Sequence, residues 1–183
     1  MKFKTAVVDP PWGYSNKNTG GSTKYGMVSG AASHYTTLTL DEIVNLNIKS
    51  IMEEDSMCYL WCTSPLLEYG LKALLAWGFH YKFTIYWVKP FRIAMGFWLR
   101  NNVEICLVGK RGKVKPFRSA SPNVVFEMPR KHSQKPKAFW DLIEPLAESP
   151  RAELFAREKR DGWMVWGDEV DSDFDGSIIL KSI

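Results

Sequence analysis

Apolar residues in this chain fall in short runs that alternate between two spacings. Thr5–Val8 is β-branched and apolar and reads as a strand; it must stop at Asp9-Pro10-Pro11-Trp12, because proline cannot donate to a sheet ladder. Met57–Cys62, Phe83–Val88 and Val103–Val108 read as buried strands, the last closing at Gly109, and Glu153–Ala156 and Trp163–Trp166 as short ones. Helical spacing follows Thr39, an N-cap with Asp41 and Glu42 in the first turn and Ile43 and Leu46 on one face. It recurs after Ser64-Pro65, read as a cap and a first-position proline, through Leu66, Leu67, Leu71, Leu74 and Leu75 to a stop at Gly78. A third helix opens at Lys135-Pro136 and runs through Phe139, Trp140, Leu142, Ile143 and Leu146. Residues 13–35 hold five glycines and four serines with no apolar period, which predicts a long flexible loop of a functional or disordered kind.

Strands alternating with helices predict an α/β fold with a largely parallel sheet, and such sheets bind ligands beyond the carboxyl ends of their strands, where Asp9 sits. No internal repeat or second domain is visible, so residues 1–183 read as one domain. At 45% hydrophobic and 24% charged, the composition excludes a disordered tail or a fibre. No run of 18 apolar residues exists and the N-terminal apolar stretch is too short for a secretory signal, so a cytoplasmic chain without membrane contact is expected. Three cysteines are too few for a disulfide scaffold, and Cys58 and Cys62 match no zinc spacing. His34 and His132 have no metal-like partners, so no metal is expected.

The net charge of +4 is mild, but its distribution is not even. Nine Lys/Arg and one acid, Glu127, fall between Lys110 and Lys137, which leaves 15 basic and 19 acidic groups elsewhere. A basic segment on an acidic body is the footprint of phosphate contact, or else an ordinary solvated loop.

Asp-Pro-Pro-Trp is suited to methyl transfer onto the exocyclic amine of a nucleobase. That nitrogen is a poor nucleophile while its lone pair is delocalised into the ring. Acceptors for its two N–H groups let it pyramidalise: Asp9 supplies one and the carbonyl of Pro10 the second. Pro11 brings no competing donor, and two prolines hold both acceptors in place. Trp12 offers a face on which a flipped base could stack. A rigid turn after an edge strand is the bland alternative.

The same segment resembles the adenine-N6 methyltransferases of the MT-A70 type. The resemblance extends through His34-Tyr35, Tyr59-Leu60-Trp61, Trp87-Val88-Lys89 and the run Phe97 to Gly109. It continues in His132-Ser133-Gln134-Lys135-Pro136, Arg151–Arg157 and Gly162-Trp163 to Trp166-Gly167, covering roughly Ala6 to Glu169. It implies a Rossmann-like S-adenosylmethionine-dependent fold, permuted so that the catalytic strand comes first and the cofactor strand late. No Gly-X-Gly-X-X-Gly occurs, in keeping with that order. The resemblance makes Asp9, Pro10, Pro11 and Trp12 the catalytic residues. It gives S-adenosylmethionine as cofactor, with Asp9, Lys135, Phe155, Arg157, Lys159, Asp168 and Glu169 around it. Lys135, before Pro136, is expected at a helix N-terminus. Trp12, Tyr35, Trp98 and Glu104 are implied to line the acceptor adenine.

Two features depart from the RNA enzyme of that family: only eight residues precede Asp9, and the long segments of a self-sufficient sequence reader are lacking. Recognition must come from residues 13–35, from 110–137, or from a partner. The expected function is adenine-N6 methylation of DNA by a prokaryotic or phage protein. The same reaction on RNA, a non-catalytic nucleic-acid-binding subunit, and a homodimer or heterodimer stay open.

Overall fold

A computed structural model of the chain describes residues 1–13, 38–90, 99, 101–129 and 134–180. Seven strands form one sheet: β1 (Phe3–Val8), β2 (Met52–Thr63), β3 (His80–Val88), β4 (Val103–Arg111), β5 (Val124–Phe126), β6 (Arg151–Leu154) and β7 (Met164–Trp166), in the order β5-β3-β4-β2-β1-β6-β7. Helices α1 (Leu40–Asn45), α2 (Leu67–Ala76) and α4 (Ser177–Leu180) cover one face, and α3 (Lys137–Ile143) the other.

The near-continuous apolar run of β2 is a consequence of burial on both faces. Cys58, Leu60 and Cys62 point into the core under α1 and α2, while Met57, Tyr59 and Trp61 point into the core under α3. Thr39 caps α1 through a reciprocal box with Glu42. Gly70 lets α2 lie directly on the sheet, since a Cβ there would stand 2.7 Å from Leu107 Cδ1 and 3.0 Å from Cys62 Sγ. The Trp77 indole N–H donates to the Ile43 carbonyl at 3.2 Å and joins α2 to α1.

Several boundaries differ from the sequence reading. The sheet is mixed: β4 is antiparallel to both β2 and β3, because it starts at the edge where β3 ends. The other four pairings are parallel. Gly109 does not close β4, which runs on to Arg111; a Cβ at Gly109 would press on Phe79 and Leu74, so this glycine serves the close approach of α2. Ser64-Pro65-Leu66 form a 3-10 turn behind Thr63, and α2 starts only at Leu67. Helix α3 starts at Lys137 with Pro136 in the cap position, so Lys135 lies before the helix rather than at its first turn.

The chain leaves β1 to one side, through α1 into β2, while β6 continues to β7 on the other. Strands β1 and β6 are parallel neighbours whose carboxyl ends meet where the order diverges, and the Asp9 N–H extends their ladder to the Leu154 carbonyl at 3.3 Å. A switch point of this kind opens a crevice beyond the strand ends.

Candidate active site

Asp9 is the first residue past β1. The turn after it is held by backbone bonds: Trp12 N–H donates to Pro10 O at 2.9 Å, Leu38 N–H to Pro11 O at 3.0 Å, and Gly13 N–H to Leu38 O at 2.9 Å. Among the described residues the Trp12 N–H is the one donor to Pro10 O, which leaves its second lone pair for a further donor. Trp12 is 8% exposed, and its indole N–H donates to Trp61 O at 2.9 Å. Its ring belongs to the core under α1, so it braces the turn; the expected open stacking face is not presented.

Lys135 reaches the same edge from the segment before α3. Its side chain is 12% exposed and its Nζ stands 2.9 Å from Asp9 Oδ2 and 3.4 Å from Glu104 Oε2, above the Trp61 ring at 5.1 Å from the centroid. Glu104 is near the start of β4 and opens onto the same edge because that strand is antiparallel. Its other oxygen, Oε1, pairs with Lys89, which follows β3 and lies over the Trp87 ring at 4.4 Å. Four charges thus alternate across the ends of β1, β4 and β3: Asp9, Lys135, Glu104, Lys89.

Burial is the largest influence on each of the three inner groups, and the outcome depends on how many opposite charges each has. Burial raises the Asp9 carboxyl; Lys135 opposes this but does not cancel it, and Glu104 adds to the rise. Burial also pushes Glu104 upward, but Lys135 and Lys89 together outweigh it, so this carboxyl is held below its ordinary value. Burial works against the charge on Lys135, yet Asp9 and Glu104 overcome it and the ammonium binds its proton more tightly than usual. The site holds a firm cation beside an aspartate that accepts hydrogen bonds strongly.

The other side of the crevice is the turn after β6. Phe155 has φ 60°, a left-handed conformation rare for a bulky residue, and its ring meets Trp166 edge-on with centroids 5.3 Å apart. Ala156 N–H donates to Trp166 O at 3.0 Å, and a Cβ on Gly167 would stand 2.2 Å from Ala156 O, so only glycine fits there. Arg157 Nε lies 3.4 Å from Glu169 Oε1. Asp9, Lys135, Glu104, Phe155, Arg157 and Glu169 therefore gather around the ends of β1 and β6, where Arg157 also acts electrostatically on Asp9.

Lys159 does not join them: it pairs with Asp173, whose second oxygen accepts the Val165 N–H at 2.8 Å. Asp168 is exposed. Tyr35 and Trp98 lie outside the described residues, as do His34, His132 and all but Gly13 of the stretch 13–35. The segment 110–137 is not one patch. Lys110 and Arg111 pair with Met57 and Ser56 at the far edge of the sheet, where the Asp55 carboxylate accepts the Lys113 N–H at 2.6 Å, whereas Lys135 stands at the site. Sequence reasoning assigns no role to Lys89 or Glu153. The signal for Glu153 is an acid inside an apolar strand; there burial pushes its carboxyl up to about 7, against Arg160, with Asp9 adding to the rise.

A family model described as MT-A70 matches residues 3–169. The chain belongs to the MT-A70 family. Members of this family are adenine-N6 methyltransferases that use S-adenosylmethionine. The chain is 32% identical to the Type II methyltransferase M.MunI of Mycoplasma sp, over 92% of its own length and 78% of that protein. It is 31% identical to the N(6)-adenosine-methyltransferase subunit METTL3 of Danio rerio and 30% identical to the human catalytic subunit METTL3, over 93% of its own length and 28% of each of those proteins.

The donor set of this MT-A70 chain fits S-adenosylmethionine. The molecule carries an ammonium, a carboxylate, a ribose diol and an adenine. Asp9 and the largely enclosed Lys135 offer one charge of each sign 2.9 Å apart, and Arg157, Glu169 and the Phe155–Trp166 pair offer polar and aromatic groups at the β6 turn.

Proposed function

We propose that this MT-A70 protein methylates the N6 nitrogen of adenine in DNA. The observation that carries the reading is the Asp9-Pro10 turn: a carboxylate of raised basicity and a carbonyl that takes one donor among the described residues, at the switch point beside a firm cation. S-adenosylmethionine supplies an electrophilic methyl group. Asp9 accepts one N–H of the adenine amine and Pro10 O the other, which directs the nitrogen lone pair out of the base plane. These acceptors, held by the turn, stabilise the positive charge developing on that nitrogen; as the cofactor sulfur leaves as a neutral thioether, the surplus amine proton passes to Asp9 or to water. Lys135 binds the cofactor carboxylate, and Arg157 and Glu169 its ribose side. The rings of Trp61 and Trp87 beneath the Lys135 and Lys89 ammonium groups lower the local polarity and strengthen these contacts.

Nucleic acid as the partner is supported by the charge carried in the sequence between the described segments. Gly13 and Leu38 are joined by a backbone bond beside Asp9, and Lys89 and Asn102 by another beside Glu104. The segments 14–37, 91–98 and 130–133, with residue 100, carry Lys17, Lys24, Arg92, Arg100, Arg130 and Lys131 and no Asp or Glu. DNA is favoured over RNA by the span of the likeness, which takes in 78% of the Mycoplasma protein and 28% of each METTL3.

The one sheet supports reading residues 1–183 as a single methyltransferase domain. The free, buried thiols of Cys58, Cys62 and Cys106 suit the cytoplasm of a prokaryote or an infected cell. A homodimer or heterodimer is supported by exposed Tyr86 and Phe126 on one face of β3 and β5 and by Leu67, Leu71 and Leu75 along α2. The test of substrate is incubation with radiolabelled S-adenosylmethionine and matched DNA and RNA oligonucleotides. Label in DNA is the expected result; label in RNA alone overturns the choice of DNA, and label in neither favours a non-catalytic subunit.

A further inference from the structure

We propose that Lys89 is a positioning residue for methyl transfer: by neutralising Glu104 it leaves Lys135 seated on Asp9. The inference rests on the reading of Asp9 as the acceptor of the adenine amine.

Lys135 is one cation between two carboxylates. It stands closer to Asp9, at 2.9 Å, than to Glu104, at 3.4 Å. Glu104 tolerates the longer contact because Lys89 holds its other oxygen. Lys89 is itself well fixed: its side chain is 18% exposed, its ammonium lies over Trp87, and its N–H donates to Asn102 O at 2.8 Å. Glu104 and Trp87 are direct cross-strand partners, so the β3–β4 register brings the Lys89 ammonium to the Glu104 carboxylate.

Removing Lys89 leaves Glu104 with a single partner. A part-buried carboxylate deprived of one of its cations is unfavourable and draws the remaining one. Lys135 then moves its hydrogen bonds to Glu104 and away from Asp9. The charged groups acting on Asp9 are Lys135 from the segment before α3, Glu104 from β4, Arg157 after β6 and, through its own response, Glu153 of β6. With Lys135 drawn away, two carboxylates face Asp9 and the more distant Arg157 is its main cation. Asp9 then keeps its proton to higher pH and accepts the amine poorly at neutrality.

The experiment compares Lys89→Met, Lys89→Arg and the double variant Lys89→Met/Glu104→Gln with the unaltered chain. The readouts are the pH profile of kcat/KM on an adenine-containing oligonucleotide and the Asp9 carboxyl titration followed by carbon NMR. Lys89→Met is expected to lower kcat/KM at pH 7 by about 10-fold or more, to shift its acid limb upward, and to raise the NMR midpoint of Asp9. Lys89→Arg is expected to restore both within a few-fold. The double variant is expected to return the Asp9 midpoint toward its original position, because no unpaired carboxylate is left to draw Lys135 away. An unchanged Asp9 midpoint in Lys89→Met, or no return in the double variant, overturns the inference. Because the NMR titration needs no turnover, an inactive but folded wild-type chain would count against the methyltransferase reading while Lys89 is still tested.

Discussion

Asp9 and Lys135 stand 2.9 Å apart, and each binds its proton more tightly than it would in water. A simple ion pair would lower the aspartate. Here burial raises it first, and its near cation is shared with Glu104, which also has Lys89. In the proposed reaction, transfer requires the ionised form of Asp9. We therefore expect kcat/KM to fall on the acid side through a midpoint above the ordinary aspartate range, measured with saturating cofactor. A midpoint at or below that range would show that Asp9 is not the controlling group.

Glu153 gives a separate pH effect, on stability. Its carboxyl titrates near 7 in the folded chain, chiefly because β6 buries it. Below the ordinary glutamate range both states hold the proton. As pH rises from there to about 7 the unfolded chain ionises first, so a contribution on the order of 3 kcal/mol is lost over that interval. Glu153→Gln should flatten this part of a denaturant-stability profile against pH. A profile of unaltered slope would mean that Glu153 stays ionised.

Trp12 braces the Asp9–Trp12 turn through its indole N–H on Trp61 O. Trp12→Phe keeps the apolar body and strands a buried carbonyl, at a cost of about 1–3 kcal/mol. Chemical denaturation should show that destabilisation, with kcat falling more than cofactor affinity. A drop in oligonucleotide affinity at unchanged stability would instead return Trp12 to a base-stacking role.

The split of the basic segment yields a contrast in nucleic-acid binding. Arg111 and Glu104 lie seven residues apart on one extended strand, about 24 Å, at opposite edges of the sheet. Neutralising Lys110, Arg111 and Lys113 should change oligonucleotide affinity less than about 2-fold and leave its salt slope intact. Neutralising Arg130 and Lys131 should weaken binding and flatten the slope by roughly one for each phosphate that is no longer neutralised. Titrations at several salt concentrations decide it, and the opposite ranking would place the nucleic acid on the far edge.

Much of this is legible in the chain. The β1 strand and its stop are visible because two prolines end a ladder, and the Thr39 cap because Thr and Glu stand three residues apart. What stays hidden is what depends on pairing. Nothing local in Val103–Val108 says that it runs antiparallel, and that direction brings Glu104 to the site and carries Arg111 away from it. A count of charges along the segment cannot separate Lys135 from Lys110 for the same reason. Trp12 reads as a platform because its type suits stacking; only the tertiary bond to Trp61 O shows that the ring is enclosed. Lys89 looks like the end of a strand, and its role depends on a cross-strand partner fifteen residues later.

In the proposed reaction Asp9 grips the adenine amine. The most direct test of this is Asp9→Asn in the full chain, with N6-methyladenine in a DNA oligonucleotide quantified by mass spectrometry after single-turnover incubation. Asparagine keeps the shape but removes the charge and turns an N–H donor toward the amine. The rate is expected to fall by about 10³-fold or more, with melting temperature close to that of the unaltered chain. Methylation within a few-fold of the unaltered rate would contradict that role for Asp9.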